Sequence, residues 1–196
     1  MEGCRLAVND LACRRGDRVL FRGLSFELNA GEALQVVGPN GSGKSSLLRI
    51  VAGLLRPLVG SVDLQGPVGL VDERPALDEH LPLGRALAFW GRIDGGGFIS
   101  WESASDRLGV TGVLDVPVQY LSTGQRKRAA LTRLLSQQAT VWLLDEPLNG
   151  LDTAMARECE RLVAHHCGVG GIALIASHQP FDVTGLKAIA IEDYAP

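Results

Sequence analysis

The sequence predicts an α/β fold on a mixed sheet core, and three observations carry that prediction. Apolar runs of strand length alternate with segments of helical period along most of the 196 residues. Two of the runs, Val141-Trp142-Leu143-Leu144 and Ile172-Ala173-Leu174-Ile175-Ala176, are apolar throughout, as strands of a sheet covered on both faces are. A glycine-rich segment over 38–46 separates the apolar run Ala33-Leu34-Gln35-Val36-Val37 from a segment of helical spacing.

Taken in order, strands are expected over 5–12, 24–28, 33–37, 61–64 and 68–71, because β-favouring apolar residues there are bounded by turn residues. A helix is expected over 44–52, where Leu47, Leu48, Val51 and Ala52 share a face and Gly53 ends the run. The pattern turns helical over 83–114, interrupted by a loop over 94–97, which predicts a small helical subdomain at about 76–136 that carries Trp90 and Trp101. A helix over 122–136, a strand over 141–144, a helix over 153–166 and strands over 172–176 and 188–191 complete the alternation. A chain of this size with 46% hydrophobic residues buries one core, so 1–196 is expected to be a single domain.

Several function classes are excluded by composition. Nineteen basic residues against twenty-two acidic ones, scattered along the chain, make nucleic acid a poor partner. No apolar stretch is long enough to span a bilayer, and the first residues lack the regions of a signal peptide, so a cytosolic chain is expected. Cys4, Cys13, Cys159 and Cys167 have no CxxC spacing and read as reduced thiols. His165, His166 and Cys167 read as a solvated helix end rather than a metal or haem site, since consecutive helical residues point in different directions.

The segment Gly38-Pro39-Asn40-Gly41-Ser42-Gly43-Lys44-Ser45-Ser46 lies between strand and helix, as a GxxxxGK[ST] phosphate loop does. Its glycines let successive N–H groups turn toward phosphate oxygens, helped by the helix N-terminus. Lys44 would place its ammonium on the β and γ phosphates, Ser45 its hydroxyl on Mg²⁺, and Ser46 a further phosphate contact. Asp145 and Glu146 follow the apolar strand 141–144. Asp145 is the second expected Mg²⁺ ligand, and Glu146 the general base that polarises the attacking water.

Leu121-Ser122-Thr123-Gly124-Gln125, followed by Arg-Lys-Arg and a helix, resembles the signature of ABC ATPases, with Thr123 in place of the commoner glycine. Asn149-Gly150-Leu151-Asp152 and Ser177-His178-Gln179 stand where that family carries its D-loop and switch histidine. The resemblance covers nearly the whole chain and implies a P-loop NTPase of the ABC nucleotide-binding type that hydrolyses ATP with Mg²⁺. It further implies that Ser122, Gly124, Gln125 and Asp152 complete the nucleotide site of a second copy, in a head-to-tail homodimer. His178 would contact the γ-phosphate and position Glu146 and the water, and Lys44, Glu146 and His178 would form the catalytic set.

Two positions depart from the family pattern. Arg74 stands where a glutamine is usual, and the aromatic residue expected beside adenine is absent, which leaves Arg15 and Val19 as the base-contacting candidates. Within the family, the blocks over 14–54, 117–135, 145–152 and 177–180 are similar to the ATP-binding subunit of the haem exporter of bacterial cytochrome c maturation. That similarity implies integral membrane partners, a peripheral place on the cytoplasmic face of the inner membrane, and release of a haem-loaded chaperone. Direct haem binding is not expected. An ABC exporter of lipid, peptide or drug remains the alternative, and a soluble ABC ATPase a more distant one.

Overall fold

The computed structural model describes residues 3–94, 97 and 99–196. They divide into two compact units, one of residues up to 70 with 140–147 and 160–196, the other of 71–139 with 148–159.

The first unit holds two sheets. β1 (Arg5–Arg15), β2 (Arg18–Asn29) and β4 (Val59–Gln65) form an antiparallel sheet with β1 central. β3 (Ala33–Val37), β5 (Val68–Val71), β6 (Val141–Asp145), β7 (Ile172–Ala176) and β8 (Lys187–Ala190) form the other, in the order β5-β6-β7-β3-β8. β3 runs parallel to β7 and β8, and β6 parallel to β7. Every residue of β6 and β7 is buried, as the apolar runs 141–144 and 172–176 demand, with Asp145 buried at the end of β6. Leu34, Val36, Leu143 and Leu174 join Leu47, Leu48, Ile50 and Val51 of α1 (Lys44–Val51) in one core with Leu6, Phe21 and Leu24.

The hairpin β1–β2 extends three residues beyond the strand expected over 5–12 and six before the one expected over 24–28. Its tip pairs Arg14 with Val19 and Arg15 with Arg18 across Gly16 and Asp17. The arginines hid the strands, because charged residues at an exposed hairpin tip carry no apolar alternation.

In the second unit, α2 (Leu83–Ile93), α3 (Trp101–Arg107) and α4 (Thr123–Leu135) close over Leu83, Leu87, Val110, Leu121 and Ala129. Trp90 and Trp101 flank this core, and the Arg133 guanidinium lies 3.6 Å from the centre of the Trp90 ring. α5 (Thr153–Gly168) begins in this unit and ends in the first. Of the loop expected over 94–97, Gly95 and Gly96 lie outside the described residues.

The solvated helix end expected over 165–167 is corrected by the structure. His165 is exposed, but His166 and Cys167 are each only 8% exposed. The His166 ring stacks on Trp142 at 3.9 Å between centres, and its Nε2 lies 3.1 Å from the Thr140 carbonyl and 3.2 Å from that of Ile172. Both partners are acceptors, so the proton sits on Nε2. Burial disfavours the imidazolium and, with His165 adding like charge, holds the His166 pKa down at about 4 from 6.5, although both hydrogen bonds oppose the shift. Between those values the unfolded chain takes up a proton that the folded chain refuses. Stability contributed by neutral His166 is therefore complete above about pH 6.5 and declines toward pH 4, by about 3 kcal/mol in all. Denaturant titrations at pH 7 and pH 5 should show this loss, and a His166→Phe variant should show a smaller slope. Equal slopes in both proteins would assign the pH dependence elsewhere.

Candidate active site

β3 ends at Val37 and α1 starts at Lys44, so the loop 38–43 leaves the sheet edge and turns directly into a helix N-terminus. Gly43 caps that helix at φ 112°, and a Cβ there would sit 3.0 Å from Phe21 Cδ1 of β2. Only glycine combines that dihedral with that approach. Behind the loop, Ser46 hydrogen-bonds the buried Cys13 thiol of β1, whose pKa burial raises.

Lys44 is 6% exposed, and its Nζ donates to the carbonyls of Gly38 at 2.7 Å and Pro39 at 3.1 Å. Ser42 Oγ is buried without a hydrogen-bond partner among the described residues. A buried hydroxyl left unsatisfied is costly unless a ligand meets it, and its place in a glycine-rich loop at a helix N-terminus fits a phosphate oxygen.

β6 delivers Asp145, 4% exposed, as its last residue. Glu146 follows with φ 44°, a left-handed conformation uncommon for a residue with a side chain, while its N–H bonds the Ala176 carbonyl at the end of β7 at 2.8 Å. That hydrogen bond brings the ends of two parallel strands together. Glu146 Oε1 consequently stands 3.8 Å from Lys44 Nζ, and Oε2 is 2.9 Å from His178 Nδ1. Lys44, Glu146 and His178 thus form one cluster at the end of the sheet where the phosphate loop opens. The donor set of Ser45 hydroxyl and Asp145 carboxylate, few in number and all oxygen, suits Mg²⁺, which keeps waters and shares phosphate oxygens.

Arg15 and Val19 lie at the β1–β2 tip, Arg15 exposed and Val19 half-buried. Arg74 is exposed, with its N–H bonded to Asp72 Oδ1 at 2.9 Å.

In the second unit, Ser122 caps α4. Its Oγ accepts from the Gln125 N–H at 3.3 Å while Gln125 Oε1 accepts from the Ser122 N–H at 2.8 Å, a reciprocal capping box. Asp152 caps α5 by a single bond, its Oδ1 accepting from the Met155 N–H at 2.9 Å. Ser122, Gly124, Gly150 and Asp152 line one hollow of about 430 Å³ with Thr123, Arg128, Leu151 and Met155. Gly124 lies so close to the Gly150 carbonyl that a Cβ would approach its oxygen to 2.4 Å. The structure thus gathers the phosphate-loop, carboxylate and histidine candidates in one unit, and the signature and D-loop candidates in the other. Gln35 escaped the sequence reading. A single polar residue in an apolar strand was its signal.

The ABC transporter family profile matches residues 21–149. The chain is 53% identical over 196 residues to the cytochrome c biogenesis ATP-binding export protein CcmA of Novosphingobium aromaticivorans, spanning 100% of both chains. It is 49% identical over 191 residues to the CcmA of Zymomonas mobilis, covering 97% of this chain and 86% of that one. Among solved structures, an ABC transporter ATP-binding protein from Pyrococcus furiosus superposes with a TM-score of 0.81 at 20% identity, over 98% of this chain and 100% of that one. A chain of an inward-facing metal-chelate type ABC transporter gives 0.77 at 24% identity, over 97% and 81%; these two likenesses speak to the fold alone. The chain belongs to the ABC transporter family as an ATP-binding subunit, and within it to the cytochrome c biogenesis ATP-binding export proteins.

Proposed function

We propose that this subunit hydrolyses ATP to drive an export step in cytochrome c biogenesis, the release of a haem-loaded chaperone. The export assignment rests on 53% identity over the full length to a protein of that name. The chemistry rests on the cluster of Lys44, Glu146 and His178, with Glu146 held between the other two.

In this reading the loop 38–43 and the N–H groups opening α1 bind the β and γ phosphates, and Ser42 and Ser46 add hydroxyl contacts. Lys44 exchanges its carbonyl partners for phosphate oxygens. Mg²⁺ would be held by Ser45 and Asp145 and would neutralise charge on the phosphate oxygens. Glu146 accepts the proton of the attacking water, and His178 keeps the carboxylate in place and donates to the γ-phosphate. Arg15 lays its guanidinium against adenine beside Val19. Ser122 and Gly124 of a second copy face the γ-phosphate, and Gln125 and Asp152 of that copy complete the same site. The working form is then a two-fold dimer with two shared sites.

No helix among the described residues is long and apolar enough to cross a membrane. We place the subunit at the cytoplasmic face of the inner membrane on integral partners, with Arg74 contributing to that contact. In cells, Lys44→Ala should abolish mature c-type cytochromes while haem-loaded chaperone accumulates, read by haem staining of membrane fractions. Undiminished c-type cytochromes would overturn the export assignment and leave the ATPase standing.

A further inference from the structure

Gln35 is a polar residue in the middle of β3, 5% exposed, with Leu34 and Val36 of the core on either side. Such a side chain is costly to bury unless its hydrogen bonds are met. Its Nε2 donates to the Gln179 carbonyl at 2.7 Å and, more weakly, to the Ser177 carbonyl at 3.5 Å. Those two carbonyls bracket His178. The same turn is closed from within, since Ser177 Oγ donates to the Gln179 carbonyl at 3.2 Å and accepts the Gln179 N–H at 3.0 Å. It is tied to β3 again by the Ser177 N–H on the Val36 carbonyl at 3.2 Å.

From this geometry we propose that Gln35 is the positioning residue for His178, and through it for Glu146. Both of its partners are acceptors, so only the donor end of an amide fits, and a carboxylate at this position would meet two carbonyl oxygens. The His178 side chain is half-exposed, and among the described residues it is held by Glu146, through Nδ1 at 2.9 Å and the N–H at 3.5 Å. The turn that carries the ring is therefore aimed by the strand from which the phosphate loop departs three residues later.

The inference rests on the proposed hydrolytic role of Glu146 and His178, and its test separates the two. Steady-state ATP hydrolysis is measured for the full chain, Gln35→Leu, His178→Ala and the double variant, with thermal unfolding followed in each. We expect Gln35→Leu to lower kcat about tenfold, the scale of one hydrogen bond, with KM changed less than about twofold. In the His178→Ala background the same change should have no further effect, since residues that act through one another are not additive. An equal fold-loss in both backgrounds, or a rise in KM with kcat unchanged, overturns the proposal. If His178→Ala itself hydrolyses ATP normally, the site reading fails instead. Should Gln35→Leu fail to fold, Gln35→Met carries the same cycle with an unbranched side chain, and Ser177→Ala, which removes the hydroxyl donor to the Gln179 carbonyl, should lower kcat in the same direction.

Discussion

Glu146→Gln should bind ATP with nearly unchanged affinity and hydrolyse it at least ~10²-fold more slowly, the loss expected when a general base is removed. The substitution keeps the shape of the side chain and replaces the carboxylate by an amide that cannot take a proton. The phosphate cradle is untouched, because the amides of 38–43 and the hydroxyls of Ser42, Ser45 and Ser46 belong to another segment. Lys44 loses the anion that stands 3.8 Å from its ammonium, which leaves it no less available to phosphate. Fluorescent nucleotide titration and a phosphate-release assay on the same preparation read the two quantities separately. Hydrolysis within about threefold of the parent chain would move the base to another residue.

Gly124→Asp should be as damaging through a different route. Any Cβ at residue 124 approaches the Gly150 carbonyl oxygen to 2.4 Å, so either the start of α4 or the D-loop must shift, and the added carboxylate faces the position proposed for a γ-phosphate. Loss of hydrolysis by about 10²- to 10³-fold is expected, comparable to removing a preorganised anion donor. If the sites are shared between two copies, Glu146→Gln and Gly124→Asp chains should complement. Mixed dimers contain one site with both defects and one with neither, so equal amounts of the two inactive chains should recover about a quarter of the parent activity. Activity no higher than the sum of the separate chains would show each chain to be self-sufficient.

Some elements were legible in the sequence from end to end. The strands at 33–37, 68–71 and 172–176 have the expected bounds, since their apolar runs are closed by glycine, proline or polar residues on both sides. The loop over 38–43 was legible as a connection from strand to helix, because its glycine spacing encodes the turn itself. The hairpin tip was not, because its pairing is dictated by main-chain hydrogen bonds between arginine-bearing strands. His166 was misjudged since its burial comes from Trp142 and the chain at Gly171, both distant from the helical pattern being read. Gln35 went unnoticed because a lone polar residue in an apolar strand does not say what it bonds, and its partner lies in a turn 144 residues away.

The tip of the β1–β2 hairpin sets Arg15 directly opposite Arg18, with Arg14 next to it and all three exposed. Residues paired across antiparallel strands project from the same face, and like charges there destabilise the pair. Like charges paired in this way oppose the closing of the hairpin end, and salt screens exposed charges over about 8 Å at physiological ionic strength. A polyanion settling beside the hairpin would relieve that repulsion by neutralising the pair.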